Sequence, residues 1–205
     1  MDARAVPVLL AVSITPGLCM MLALTLGATI GVRRAMWMMI GELIGLGLVS
    51  VLSLTGVAAI MMGHSDVYAI GKAAGGLYLL YIGVQIARTD FQVLAGISKA
   101  DPTSAGAAAA ALVTRGFLVA IGNPKSWLFY AALLPPFIRP DRPLLPQVAW
   151  LVSLLLLIEF LSLMLYAGGG RAARTMLQSE VLARAFFFIA GAIIFGFGIQ
   201  ILLEA

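Results

Sequence analysis

Between Ala35 and Met62 the chain carries a single ionisable residue, Glu42. Five other stretches are almost as free of charge: Pro7 to Ile30, Val67 to Ala87, Gly116 to Phe137, Gln147 to Ala167 and Leu182 to Leu203. At about 1.5 Å per helical residue, each is long enough to cross a hydrocarbon layer of roughly 30 Å. Lipid offers no hydrogen bonds, so a spanning segment must satisfy its own backbone, and a helix does so within one segment. The pattern predicts an all-α integral membrane protein with six transmembrane helices, forming a single transmembrane domain over residues 1–205. Composition agrees: 62% of the residues are hydrophobic and 11% charged, against about half and a quarter in soluble domains.

Charge placement predicts the orientation. Arg33, Arg34, Arg88, Lys99, Arg115, Arg171, Arg174 and Arg184 fall in the loops after spans one, three and five, whereas Arg4, Arg139 and Arg142 fall on the other side. The positive-inside rule then puts both termini on the non-cytoplasmic side of the membrane, as a multi-pass protein. The net charge of +4 belongs to this topology signal and does not indicate nucleic acid. The apolar run after Arg4 is too long for a signal peptide and reads as a retained first helix.

The two halves look like copies. Gly76, Gly83 and Gln85 recur as Gly191, Gly198 and Gln200; Glu42 in span two recurs as Glu159 in span five; Pro16 in span one recurs as Pro124 in span four. Repeat one covers 1–90, a cytoplasmic loop 88–115, and repeat two 116–205. Three spans per half force the second copy to be inverted in the bilayer, an arrangement found in secondary transporters. The expected fold is therefore two inverted three-helix repeats with broken first and fourth helices.

The breaks are the main functional clue. Thr15-Pro16-Gly17 and Asn123-Pro124-Lys125 lie roughly 14 and 12 Å into their spans, near mid-bilayer. Thr or Asn followed by Pro reads as a cap and the first residue of a new half-helix. Because the two spans run in opposite directions, the new N-termini face each other. Helix N-termini carry free N–H groups and partial positive charge. With the Lys125 ammonium beside them, Thr15, Pro16, Gly17, Asn123, Pro124 and Lys125 form a site for a carboxylate. The plainer reading is that the prolines only kink packed helices.

Glu159 and Glu42 supply the acidic side. Glu159 is deep in span five and either handles a proton or a substrate ammonium, or pairs permanently with Lys125. Glu42 either shares that role or reaches Arg33 or Arg34 near its span end. Lys72 is close enough to the interface to snorkel. Tyr78, Tyr81, Gln85 and Gln200 offer hydrogen bonds to a cavity or between helices. Glycines four apart (Gly27/Gly31, Gly41/Gly45, Gly71/Gly75) predict close helix contacts, within the chain or across a homodimer. Cys19 reads as a small packing residue. His64, beside Asp66, lacks the convergent ligands a metal needs. No nucleophile motif or cofactor fingerprint occurs, so neither an enzyme nor a bound cofactor is expected.

At these residues the chain resembles the LysE/RhtB family of amino-acid exporters. The resemblance rests on Pro16-Gly17, Gly41 and Gly45, the stretch from Lys72 to Gln85, and Gly116-Phe117-Leu118 leading to Asn123-Pro124-Lys125. Leu18 stands where family members usually carry a second proline. The resemblance implies secondary transport: export of amino acids or close derivatives by proton antiport, with substrate, protons and the lipid bilayer as partners. The residues point the same way: the half-helix ends and Lys125 hold a carboxylate, a glutamate handles a proton or an amino group, and rocking of the inverted halves exposes the site alternately to each side. The alternative is efflux of metal, metalloid or another small solute by the wider superfamily.

Overall fold

The computed structural model describes residues 5–15, 17–63, 65–88, 108–122, 124–139 and 141–203. Among them the chain is helical almost throughout, with no strand: α1 (Ala5–Ile14), α2 (Leu18–Ile30), α3 (Val32–Gly63), α4 (Ser65–Ala87), α5 (Ala109–Ile121), α6 (Pro124–Leu133), a 3-10 turn (Pro135–Phe137), α7 (Leu144–Gln178) and α8 (Glu180–Leu203). Expected spans two, three, five and six lie within α3, α4, α7 and α8. Expected spans one and four are each divided between two helices. α5 starts ahead of the expected Gly116 because Ala109, Ala110 and Ala111 are strong helix formers that continue the turn backwards.

Among the described residues, Val32–Gly56, Leu144–Gly169 and Arg184–Leu203 are each long and apolar enough to cross a membrane. α1 and α2, meeting at 56°, add a fourth if they form one bent span. Trp37, Ile40, Ile44 and Leu48 on α3 and Leu157, Leu161 and Leu165 on α7 are exposed at three- and four-residue intervals. Such stripes suit a lipid-facing helix surface, since water would penalise them.

Small residues set how closely the helices approach. α3 packs along α5, α4 along α8, and α2 along α7. A Cβ at Gly41 would run into the Val113 carbonyl, and one at Gly116 into the Met38 carbonyl. Gly27 meets the backbone of Ala167 in the same way. A Cβ on Gly83 would lie 2.8 Å from the Gly191 carbonyl oxygen, and one on Gly76 would lie 3.2 Å from that of Gly198. Close backbone approach gives these helices dispersion contacts that lipid cannot match. Gly31 differs from the expected packing role. Its φ is 81° with nothing within 4 Å of a Cβ, so it turns the chain from α2 into α3, which a left-handed residue permits at little cost.

The interior has two apolar clusters. One joins Leu9, Val49, Leu79, Leu133, Leu155, Phe187 and Ile194. The other joins Met20, Met21, Met38, Met39, Leu163 and Tyr166. Outside the apolar layer, Gln147 fastens the approach to α7. Its amide donates to the carbonyls of Arg139, Arg142 and Pro143, and its oxygen accepts the Arg139 N–H. Arg139 also holds both oxygens of Asp141. Those bonds keep the Asp141 carboxyl below the ordinary carboxylate range.

Candidate functional site

The site is built around the two helix breaks. α1 ends at Ile14, and α2 begins at Leu18 with an extended Gly17 as its N-cap. This corrects the expected cap. The Thr15 hydroxyl turns back and donates to the Ala11 carbonyl, a local bond open to threonine at the end of a helix. The Gly17 cap of α2 carries no side-chain hydrogen bond. The α2 ladder starts with the Met21 N–H on the Gly17 carbonyl at 3.0 Å, leaving the amides of Leu18, Cys19 and Met20 ahead of it. At the second break α5 closes with the Gly122 N–H on the Leu118 carbonyl at 2.9 Å. α6 then opens at Pro124, the helix position where a missing N–H does no harm.

Each break releases a carbonyl, and an aromatic donor takes each one. Tyr166 of α7 donates its hydroxyl to the Ile14 carbonyl at 2.9 Å. Trp127, in the first turn of α6, donates its indole N–H to the Ile121 carbonyl at 2.9 Å. Neither Tyr166 nor Trp127 stands out in the sequence, so sequence reasoning missed both roles. The available signal was chemical: a ring that is apolar in body and carries one donor suits a buried carbonyl.

Between the breaks lies a cavity of about 310 Å³. α1 contributes Val12 and Ser13 to its lining; the break contributes Thr15 and Gly17; α2 contributes Leu18, Cys19 and Met20. α3 adds Glu42 and Leu46, α6 adds Ser126, Phe129 and Tyr130, and α7 adds Glu159. Ile82 and Ile86 of α4, Ala120 of α5 and Phe187 of α8 complete it. Thus the first turns of α2 and α6 reach one space, together with both glutamates.

Those glutamates are almost fully enclosed, Glu42 at 2% exposure and Glu159 at 6%. Glu42 stands beside Cys19 and within the electrostatic reach of Glu159. Its expected route to Arg33 or Arg34 is not taken. Both arginines are exposed, whereas the packing of Gly41 and Gly45 onto α5 turns the neighbouring Glu42 inward. Among the described residues, Oε2 of Glu42, Oε2 of Glu159 and Oγ of Ser13 have no hydrogen-bond partner. Buried oxygens in that state are costly and point to a missing guest or proton. Cys19 is a lining residue and not just packing.

Of the other expected site residues, Pro16 and Asn123 lie outside the described residues, as do the side chains of Pro124 and Lys125. The expected Lys125–Glu159 pair falls there too. Tyr81 is 58% exposed and Tyr78 packs beside the main apolar cluster; the tyrosine in the cavity wall is Tyr130. Gln85 and Gln200 do not line the cavity.

Comparison with known proteins decides the family. The family model described as LysE type translocator matches residues 10–205. The chain belongs to the LysE-type translocator family. It is accordingly a membrane transport protein of an efflux family. The translocator is 32% identical over 135 residues to an uncharacterized membrane protein of Vibrio cholerae, a match spanning 66% of this chain and 63% of that protein. It is 28% identical over 189 residues, 89% of each chain, to a homoserine/homoserine lactone efflux protein of Salmonella typhi. A membrane protein of Bacillus subtilis is 25% identical over 199 residues, 95% of each chain. No solved structure matches.

Proposed function

We propose that this translocator exports amino acids or close derivatives across the bacterial inner membrane by proton antiport with alternating access. The observation that carries the reading is the meeting of two half-helix starts and two buried glutamates in one cavity. The helix starts offer N–H groups and positive dipole ends to a carboxylate, with Lys125 next to the second. The glutamates offer a place for a proton or an ammonium, so protonation and substrate can exclude one another. The efflux activity in the name of the Salmonella relative supports the substrate class.

Alternating access needs two bodies that move about a fixed site. Six spans in two inverted repeats would supply them, with both termini outside the cytoplasm. The glycine contacts support this reading. Exchanging Gly76 with Gly191 and Gly83 with Gly198 turns the Gly76–Gly198 contact into the Gly83–Gly191 contact, as a two-fold relation between α4 and α8 requires. Glu42 and Glu159, the other repeated pair, then face the cavity from equivalent places.

Liposomes containing only this chain and loaded with L-homoserine, L-leucine, L-lysine or L-glutamate test the proposal. Loss of at least one solute should accelerate when the outside is made acid. Vesicles that retain all four would end the efflux reading. Efflux indifferent to the pH gradient would end the antiport.

A further inference from the structure

We propose that Glu42, Glu159 and Ser13 form an ammonium subsite, and that α4 and α8 supply an apolar wall beside it, so the translocator selects amino compounds with apolar side chains. This rests on the efflux reading above and names the substrate class it serves.

The argument is one of matching donors to acceptors. An alkylammonium presents three N–H donors and no acceptor. The cavity presents three buried oxygens that complete no hydrogen bond among the described residues: Glu42 Oε2, Glu159 Oε2 and Ser13 Oγ, with Ser13 close beside Glu159 and Cys19 close beside Glu42. The three oxygens come from α3, α7 and α1, and all three residues are at most 6% exposed. A buried carboxylate with no cation is strongly disfavoured. An ammonium placed among these oxygens answers the unpaired charge and the unmet hydrogen bonds together. An acylated nitrogen keeps one donor in place of three and brings an acceptor of its own, so it cannot serve all three.

The rest of the lining sets the side chain. Among the described residues, α4 and α8 contribute only Ile82, Ile86 and Phe187, and α6 adds Phe129 beside Ser126 and Tyr130. A carboxylate-bearing side chain would bring a negative group beyond the substrate's own carboxylate toward two glutamates. A second ammonium against this wall would lose its hydration and find no acceptor there. An aliphatic or aromatic side chain meets surfaces of its own kind. The 310 Å³ volume is at the small end of ligand cavities, which run from about 300 to 1,000 Å³.

The test uses proteoliposomes of the full chain loaded with L-leucine, L-lysine or L-glutamate, and N-acetyl-L-leucine and L-leucine methyl ester as competitors. L-leucine should leave fastest. The methyl ester, which keeps the ammonium, should compete with it. The N-acetyl compound should compete about tenfold more weakly or worse, the usual penalty when a polar site meets a ligand lacking its partner group. Glu42→Gln and Glu159→Gln should each erase the distinction between these two competitors. Because the competitor series is read on the unaltered protein, a variant that fails to fold does not remove the test. Equal competition by the N-acetyl compound, or preferential flux of glutamate or lysine, overturns the subsite while leaving efflux standing. Absence of flux for all three solutes overturns this inference, and the efflux reading falls with it when L-homoserine is retained as well.

Discussion

Replacing Tyr166 by phenylalanine removes one oxygen and leaves the ring in place, so it isolates the bond that closes the first helix break. Tyr166 is 5% exposed, and its hydroxyl sits 2.9 Å from the Ile14 carbonyl. In an unbroken helix that carbonyl would receive the amide of Leu18. Here α2 starts afresh at Leu18, so no helical donor replaces the tyrosine. A net hydrogen bond is worth about 0.5–1.5 kcal/mol, and an acceptor left buried without a partner costs about 1–3 kcal/mol. Side-chain hydrogen bonds between membrane helices average about 0.6 kcal/mol and reach about 1.7. Because the orphaned group is a main-chain carbonyl at a break, a loss of about 1–2 kcal/mol is expected, close to a tenfold shift in the folding equilibrium. Unfolding in mixed micelles by increasing SDS, followed by tryptophan fluorescence, measures it. A Tyr166→Phe protein within about 0.3 kcal/mol of the unaltered chain would refute the idea that this donor secures the break.

Trp127→Phe should show a loss of similar size through the Ile121 carbonyl, in the same SDS titration. Gly41→Ala and Gly116→Ala should each cost more than about 2 kcal/mol, because each new Cβ meets backbone and the helices must separate; the yield of folded protein on size exclusion reads this. Gly56→Ala and Gly196→Ala, whose Cβ atoms meet nothing within 4 Å, should be neutral or stabilise by up to about 1 kcal/mol through helix propensity. Glu42→Gln and Glu159→Gln should unfold no more easily than the original while their flux loses its response to the pH gradient, since each replaces a buried carboxyl whose Oε2 has no hydrogen-bond partner among the described residues; matched SDS midpoints and flux assays check both halves. Asp141→Asn should lower thermal stability slightly at neutral pH. The lowered pKa of Asp141 makes its contribution full above the unfolded carboxylate pKa and absent once the pH falls through the folded value, so the two melting curves should merge in acid.

The helices were legible because their signals are local and strong. An apolar run such as Ala35–Met62 needs no partner to declare itself, and the α3 that forms covers it whole. Pro124 announced the start of α6 because a ring without an N–H fits there and almost nowhere else in a helix. Pro16 misled in detail. The break occurred, but Thr15 turned its hydroxyl to Ala11 and left Gly17 as the cap, a choice between two short-range bonds that the sequence leaves nearly balanced. Gly31 looked like a packing glycine from its spacing with Gly27, yet spacing cannot tell a contact from a turn.

The order of apolar and polar residues along the chain determined its solvent, its helical class, where the helices break and which residues repeat. Those properties follow from hydration and backbone geometry, which act over a few residues. Tertiary packing alone decided that Glu42 turns inward away from Arg33 and Arg34, that Tyr166 reaches a carbonyl far away in the chain, and that Ser13, Glu42 and Glu159 share one cavity. A buried oxygen's partners are fixed by which helix faces meet, and that depends on backbone contacts such as Gly41 with Val113 and Gly116 with Met38, which exist only once the chain is assembled.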